Sequence, residues 1–201
     1  MYQSRSFLSA FLFVFTLFSA SAIASAQTES KSQPERDFEV VLHVLVGSND
    51  GSSGQNLPAN LTAVSRQLRS NFAFTGLRVA NTFVGRISSN GNFEYKSVTN
   101  ELGFDAEGAQ SFLEWSIGNL HAASTGLQAN SFRFGARIPV KTSNVRDDSG
   151  KAAPVFSYES IGLSLTRIGI PENAPTLLGS LSLPKANGTL FLVMTVTPTK
   201  Q

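Results

Sequence analysis

Apolar and polar residues alternate along much of the chain after residue 37, and this period of two predicts β-strands. The first alternating segment, Phe38–Val46, has apolar side chains at every position of one face, and Val41 and Leu45 on the other. A strand with apolar residues on both faces is typical of the interior of a sheet that is covered on both sides. We therefore expect this segment to be a central strand.

The stretch "LPANLTAVSRQLRSNF" that follows a glycine-rich loop has a different period and predicts the one helix of the chain. Its apolar residues recur at spacings of 3, 4 and 4, which places them in one stripe: Leu61, Val64, Leu68 and Phe72. Pro58 suits the first helical turn, where its missing N–H costs nothing. An amphipathic helix of this kind is expected to pack on a sheet.

Strand patterns continue to the end of the chain. The further segments are Leu77–Ile87, Phe93–Val98, Phe112–Ile117, Phe132–Ile138, Ile161–Ile170, Thr176–Leu183 and Thr189–Val196. Asn90-Gly91 predicts a tight hairpin between the first two of these, because both turn positions favour a positive φ. The last two form a second predicted hairpin.

Three details of these segments are specific predictions. Leu77, Val79, Phe83 and Ile87 are placed on one strand face. A bulge near Arg167 restores the alternation, which changes parity between Leu165 and Ile168. The polar stretch "VKTSNVRDDSGKAAP", residues 140–154, is expected to be a surface loop. The resulting fold class is α+β, mainly antiparallel β and sandwich-like, with about eight or nine strands and one helix packed on a sheet.

The N-terminus has the three parts of a secretory signal peptide. Arg5 supplies a positive charge, Phe7–Phe18 is a short apolar core, and Ala24 and Ala26 form an A-x-A cleavage site. The apolar core is shorter than the ~20 residues of a membrane span, which disfavours the alternative of an uncleaved anchor helix. We expect a signal peptide over residues 1–26, a polar flexible leader over 27–37 and a single β-rich domain over 38–198, located in the periplasm or outside the cell.

Composition excludes several classes of chemistry. The chain has no cysteine, so it has no disulfide, thiolate metal site or thiol nucleophile. Its formal charge is +2, or +1 without Arg5, which is far from the strong basic excess of a nucleic-acid-binding domain. We expect no nucleic-acid partner, no cofactor, no metal and no membrane-integral segment after signal cleavage.

The glycine-rich loop after Val46 has the layout of a phosphate-binding loop but lacks its residues. No Lys-Ser or Lys-Thr pair follows the glycines between Gly47 and Gly54. A calcium loop needs several oxygen ligands, and Asp50 is the only carboxylate there. The loop is therefore interpreted as a connector.

Two groups of residues are candidate sites. Arg78 and Arg86 share the parity of one strand, and Arg133 and Arg137 that of another, so a basic patch forms if the two faces meet. Glu114 beside Trp115, with His121 or a further acid, is the alternative enzyme site, because acids near a tryptophan are common in sugar sites. No serine lies in a G-x-S-x-G motif. The simpler interpretation is that Trp115 fills the core and the charged residues face water.

Part of the chain resembles β-rich periplasmic modules that accompany bacterial secretins. The resemblance lies in the order strand, glycine loop, helix, strands, and in the ending "GTLFLVMTVTP", which is similar to the closing strand of a secretin. It covers about a quarter of the chain and carries over no functional residue. It implies an accessory or secretin-like domain of the periplasm.

The leading hypothesis for function is an exported, non-enzymatic module that binds a protein partner or another envelope component through sheet edges or loops. Two alternatives are a secreted hydrolase acting on glycans or esters, and a carrier of an apolar ligand inside a barrel. A pocket that gathers Glu114, Trp115 and either His121 or a further acid within about 10 Å would favour the hydrolase. An empty apolar lumen would favour the carrier.

Overall fold

The computed structural model describes residues 36–49, 57–102, 108–146, 150–184 and 188–199, which form strands and one short helix. The helix, α1 (Thr62–Asn71), directly follows a 3₁₀ turn, Ala59–Leu61. The strands are β1 (Asp37–Ser48), β2 (Gly76–Ser88), β3 (Asn92–Thr99), β4 (Ser111–Ala123), β5 (Gly126–Arg146), β6 (Ala152–Ile170), β7 (Thr176–Ser182) and β8 (Gly188–Pro198).

The strands form two four-stranded sheets in which all hydrogen-bonded neighbours are antiparallel. Sheet I has the order β2-β1-β8-β7, and sheet II has the order β3-β4-β5-β6. The chain therefore runs as a meander that leaves sheet I between β2 and β3 and returns to it between β6 and β7. The predicted fold class, an antiparallel sandwich-like α+β fold, is confirmed, and β1 is the central strand that its two apolar faces predicted.

The main core lies between the two sheets. Its largest fully buried side chains include Phe38 from β1, Trp115 from β4 and Phe132 from β5. The alternations predicted for β4 and β5 are present, since Leu113, Trp115 and Ile117 are buried and their neighbours in sequence are turned outward. Burial of such side chains stabilises the fold by about 25 cal/mol for each Å² of apolar surface removed from water.

A second core lies between α1 and the outer face of sheet I. Leu61, Val64 and Leu68 of the predicted stripe are buried there against Leu45 and Phe191. The Phe72 ring at the end of α1 meets the Phe191 ring edge-on, with 4.9 Å between centroids. The predicted amphipathic helix and its packing on a sheet are thus confirmed. Pro58 lies one residue before the 3₁₀ turn, where its carbonyl accepts the Leu61 N–H at 2.9 Å.

The prediction that four apolar residues of β2 share one face is wrong, because a bulge interrupts the strand. The β1–β2 register shifts between Val44 and Leu45, which leaves Ala80 as the extra residue on β2. Leu77 and Val79 therefore pack in the helix-side core, whereas Phe83 and Ile87 pack in the main core. One inserted residue exchanges the faces of everything beyond it.

The change of parity near Arg167 occurs without the predicted inserted residue. The β5–β6 register is continuous from Leu127↔Ile170 to Phe132↔Leu165. Arg167 has φ +54°, and Asn119 on β4 has φ +56° at the same level of sheet II. At this level β4, β5 and β6 all rotate about their own axes, so that odd-numbered and even-numbered residues exchange the buried face. The pairing between the strands is unchanged.

The Asn90-Gly91 turn forms, but the hairpin predicted around it is wrong. Asn90 has φ +61°, and the Gly91 N–H donates to the Ser88 carbonyl at 2.9 Å. The strands that the turn joins nevertheless pair in different sheets, β2 with β1 and β3 with β4. The turn is a corner between the sheets. The hairpin predicted from the last two segments is confirmed, because β7 pairs with β8.

Residues 140–154, predicted to be a surface loop, belong largely to a long hairpin. Pairing of β5 with β6 continues to Arg146↔Ala152, well past the last pair of β4 with β5, Phe112↔Arg137. We call the part formed by Lys141–Arg146 and Ala152–Phe156 the arm. Every described residue of the arm is exposed except Phe156, which is half-buried. Residues 147–149 lie outside the described part of the chain.

Several sequence predictions fall on residues that the structure does not describe. These include the signal peptide, nearly all of the leader, and the glycine loop from Asp50 to Gly54. Gly47, at the described start of that loop, has a packing reason to be glycine: a Cβ there would lie 2.9 Å from the Phe74 ring and 3.1 Å from that of Phe191. Within the described ranges, none of the helical structure is both long and apolar enough to cross a bilayer.

Candidate binding surface

The arm presents an edge of β5 that has no neighbouring strand. In the described part of the chain, β4 is hydrogen-bonded to β5 only as far as Arg137, and no other backbone bond reaches residues 141–146 from that side. The Thr142 hydroxyl donates to the Val155 carbonyl at 3.1 Å, which shows that the Val155 backbone faces β5. Val155 pairs with Ser143, so that pair is a hydrogen-bonded one. Bonded and non-bonded pairs alternate along an antiparallel ladder. The residues at the non-bonded pairs, Lys141, Asn144 and Arg146, therefore point their backbone N–H and C=O groups to the open side of β5.

The opposite edge of the arm, on β6, is interrupted by a proline. Pro154 pairs with Asn144 at a non-bonded site, so its ring nitrogen points away from β5. Proline has no N–H to donate, and prolines on edge strands are one way in which proteins block the addition of another strand. The β5 edge of the arm has no proline between Lys141 and Arg146. It is therefore the edge of the arm on which a further strand meets no proline between Lys141 and Arg146, although the register shift after Lys141 interrupts the regular spacing.

The residues that expose this edge also extend a row of cations on the outer face of sheet II. Arg133 and Arg137 lie on that face, and Lys141 and Arg146 follow them along β5. Arg146 has an even residue number and the other three have odd numbers, so a regular strand would place it on the opposite face. The register shift between Lys141 and Ser143 leaves Thr142 unpaired and brings Arg146 to the same face. We call Arg133, Arg137, Lys141 and Arg146 the basic row.

The cations of the basic row are exposed and, among the described residues, none of them forms an ion pair with a carboxylate. Arg133 and Arg137 are about 13 Å apart, at roughly 3.3 Å per residue along a strand. The β6 residues opposite the row in the arm, Ala152 to Phe156, have no charged side chain. The row places four cations on one face and would attract an anionic group at Lys141 and Arg146, whereas a carboxylate, Glu114, lies beside Gly135 between Arg133 and Arg137.

Arg137 is held in place at the base of the arm. Its guanidinium carbon lies 4.8 Å from the centroid of the Phe112 ring, and Phe112 in turn packs against Tyr158 at 5.6 Å between centroids. Both rings are partly exposed, at 38% for Phe112 and 45% for Tyr158. A cation over an aromatic face is favourable by about 0.5–1 kcal/mol at an exposed site. The contact orients the Arg137 side chain at the base of the arm.

Two adjoining grooves lie on the same face, one of about 350 Å³ beside Arg133 and one of about 480 Å³ beside Arg137. They share Glu114 and Gly135, and the Glu114 side chain lies across Gly135, where a Cβ would come within 3.2 Å of its carboxylate oxygen. Lys96 on the rim is 2.9 Å from Glu94. That hydrogen bond and the nearby carboxylates raise the pKa of Lys96.

The other two predicted arginines lie in sheet I, apart from Arg133 and Arg137. Arg78 pairs across the strands with Val46 of the main core and binds Glu101 at 2.7 Å. Arg86 lies opposite exposed Glu39 and 3.6 Å from an Asp37 oxygen. The Ala80 bulge puts the two arginines on opposite faces of β2, so the prediction that they share a face is wrong. The half of the predicted patch that the structure extends is Arg133 with Arg137.

In the alternative enzyme site, His121 does not converge with Glu114 and Trp115, whereas a further acid, Glu94, lines the same groove as both. Glu114 faces outward, whereas its neighbour Trp115 is 2% exposed in the main core. His121 is on the same strand seven residues after Glu114, which corresponds to about 23 Å. Its Nδ1 is 2.9 Å from the Asn119 carbonyl. The separation of Glu114 and His121 is thus larger than the distance of about 10 Å within which paired catalytic groups must lie.

The other histidine of the sequence, His43, is buried on β1 and hydrogen-bonded to a neighbouring strand. His43 lies on the outer face of β1, with Nδ1 2.9 Å from the Thr82 hydroxyl oxygen. Burial lowers the pKa of His43, because the charged imidazolium would lose its hydration. Among the described residues, no group of three or more His, Asp or Glu side chains is placed to hold a metal ion.

Comparison with known proteins gives only distant similarity. Protein-family models and curated proteins give no match. Among solved structures, the cryo-EM structure of secretin InvG from the Salmonella SPI-1 type III secretion injectisome is 13% identical, with a TM-score of 0.32 over 96% of this chain and 70% of that chain. InvG in the structure with PrgH and PrgK is 13% identical, with a TM-score of 0.32 over 96% of this chain and 50% of that chain. InvG in the open gate state is 11% identical, with a TM-score of 0.28 over 96% of this chain and 66% of that chain. All TM-scores lie below 0.5, so we infer neither fold nor function from them.

Proposed function

We propose that this chain is an exported, non-enzymatic β-rich module that binds a protein partner of the cell envelope by adding a strand of that partner to the arm. The observation that carries the proposal is the open β5 edge at Lys141–Arg146. Unpaired backbone groups on a long edge strand are a template for another chain, and proteins usually block such edges. Here Pro154 interrupts the β6 edge within the arm, whereas on the β5 edge the nearest proline, Pro139, precedes the arm and Lys141–Arg146 contain none.

The export part of the proposal depends on the N-terminal sequence. The positive residue Arg5, the short apolar core Phe7–Phe18 and the small residues Ala24 and Ala26 are typical of a cleaved secretory signal. The polar leader over residues 27–37 would then separate the cleavage site from the domain that begins at Phe38. The absence of cysteine is compatible with an oxidising compartment, because no thiol is at risk there.

The geometry supports binding over the carrier and over the version of the hydrolase that uses His121. The hydrolase version built on Glu114, Trp115 and His121 does not assemble, because one of its members is in the core and another is far along the strand. The carrier version needs an empty lumen, whereas the space between the sheets holds the interlocking side chains of the main core, among them Trp115, Phe38 and Phe132.

Site-specific photo-crosslinking in intact cells tests the proposal. A photoreactive amino acid would replace Val145 on the arm, which is 57% exposed, or Val84 on β2, which is 60% exposed and serves as the matched control. We expect irradiation to give one discrete adduct in the envelope fraction from position 145 and none from position 84. No adduct at position 145, or equal adducts at both positions, would contradict binding through the arm.

A further inference from the structure

We infer that the segment added to the arm is acidic and extended, and that it runs antiparallel to β5 in continuation of β4. This inference rests on the proposed function, and it adds the chemistry and direction of the partner. Its basis is that one set of residues supplies both the open backbone edge and the cations: Lys141, Asn144 and Arg146 point their backbone groups to the open side, and Lys141 and Arg146 belong to the basic row.

The direction follows from the position of β4. The last pair of β4 with β5 is Phe112↔Arg137, and β4 begins only one residue earlier, at Ser111. Pro139 follows on this edge, and the edge from Lys141 onward lies on the continuation of the line that β4 occupies. A strand placed there with the polarity of β4 keeps the alternation of bonded and non-bonded pairs across sheet II.

The side-chain pattern of the partner follows from the register. On an antiparallel pair, directly opposed side chains share a face and their Cβ atoms are about 4.5–5.5 Å apart. Residues of the partner opposite Arg146, Asn144 and Lys141 occupy alternate positions, since the unpaired Thr142 absorbs the extra residue of β5. The partner motif is acid-x-polar-x-acid, with the two x positions facing the side of Val145, which is exposed.

A second copy of this chain fits the edge less well. Antiparallel pairing of two β5 edges joins the outer faces of two sheets into one surface, which would place two basic rows side by side. Like charges on neighbouring strands destabilise the pairing. The described β5 and β6 residues of the arm contain no acidic side chain to offset Lys141 and Arg146.

Binding of short synthetic peptides to the full mature chain, followed by fluorescence anisotropy, tests the inference. The probe is a labelled peptide of sequence Thr-Glu-Val-Thr-Val-Glu-Thr, and its matched control has Lys in place of both Glu residues. We expect the acidic peptide to bind at least about tenfold more tightly, with a difference that shrinks as salt is added. The Lys141→Glu, Arg146→Glu double variant should reverse this preference.

A pair of proline substitutions tests whether the backbone edge is used. Asn144→Pro removes a donor from the β5 edge, whereas Ala152→Pro removes one from the β6 edge at the neighbouring non-bonded site. Neither N–H takes part in the β5–β6 ladder, so both variants should fold; the emission of Trp115 checks the sandwich, and hydrogen exchange of the amides that pair β5 with β6 checks the arm. We expect Asn144→Pro to weaken binding of the acidic peptide by at least about tenfold and Ala152→Pro by less than about twofold.

The outcomes separate the inference from the proposed function. Equal binding of both peptides that Asn144→Pro abolishes would overturn the acidic partner but support strand addition. Binding of the acidic peptide that neither proline variant changes would overturn the β5 edge as its site, as would self-association that the peptide does not compete with. If Asn144→Pro fails to fold, the charge-reversal variant still decides, since an unchanged preference for the acidic peptide would overturn the inference.

Discussion

The corner at which the chain passes from sheet I to sheet II depends on a close contact between Gly85 of β2 and Phe93 of β3. A Cβ built on Gly85 would lie 2.4 Å from the tip of the Phe93 ring and 2.6 Å from the next ring carbon. The ring cannot move away freely, because it also packs against Trp115 at 5.1 Å between centroids. Gly85→Ala therefore forces a shift in the main core.

A matched substitution isolates the cost of that shift. Gly169 is a strand glycine on β6, and a Cβ built there has no neighbouring atom within 4 Å. Replacing either glycine by alanine stabilises by a similar amount, about 0.4–1 kcal/mol, because the unfolded chain loses conformational freedom. Only Gly85→Ala adds overpacking, which costs about 1–3 kcal/mol. We expect Gly85→Ala to be less stable than Gly169→Ala by about 2 kcal/mol, or about 4–8 °C in Tm for a domain of this size.

The single tryptophan makes the measurement direct. Trp115 is buried in the main core and is the only tryptophan of the sequence, so its emission during urea denaturation reports unfolding of the sandwich. In the background of Phe93→Leu, which shortens the opposing side chain, the difference between the two alanine variants should shrink. Equal stability of Gly85→Ala and Gly169→Ala would refute the claim that this contact closes the corner.

Further predictions concern the helix and the buried histidine. Leu68→Ala removes a fully buried side chain from the helix-side core and should cost about 2–5 kcal/mol, whereas Val84→Ala at a 60% exposed position should change the free energy of unfolding by less than about 0.5 kcal/mol, both measured by urea denaturation. Because the pKa of His43 is lowered in the fold, the unfolded chain takes up a proton first as the pH falls. The contribution of neutral His43 is therefore complete above about pH 6.5 and is lost progressively as the pH falls from there toward the lowered pKa. His43→Gln should remove that part of the pH dependence, and an unchanged profile would contradict it.

The elements predicted best from sequence are those whose side chains are buried by a regular pattern. Both faces of β1 are covered, and the stripe Leu61, Val64 and Leu68 is buried on one side of the helical region. In each case local periodicity and tertiary burial agree, because the same side chains determine both.

The errors arise where non-local pairing overrides a local signal. Asn90-Gly91 specifies a turn, but the partners of the flanking strands are chosen by the sheets on either side. The bulge at Ala80 exchanges faces with no mark in the hydrophobic pattern, whereas the change of parity at Arg167 is visible in the pattern but does not arise from the bulge that we predicted. Such changes depend on the neighbouring strands.

The arm was not predicted from the sequence because both of its faces are exposed to solvent. Its residues pair with each other and bury little, so Lys141–Arg146 have no hydrophobic period. Arg133 and Arg137 were identified from their alternation. Lys141 has the same parity and could have been added to them, whereas Arg146 could not, since the unpaired Thr142 shifts the register before it.

Hydrogen exchange of the arm amides, with and without the acidic peptide, tests strand addition most directly. In the free chain, the N–H groups of Lys141, Asn144 and Arg146 have no partner in the described ladder and should exchange quickly. On binding, we predict at least about tenfold slower exchange at these amides and no change at Ala152 on the β6 edge. A bound peptide that leaves the exchange of all three amides unchanged would contradict strand addition to β5.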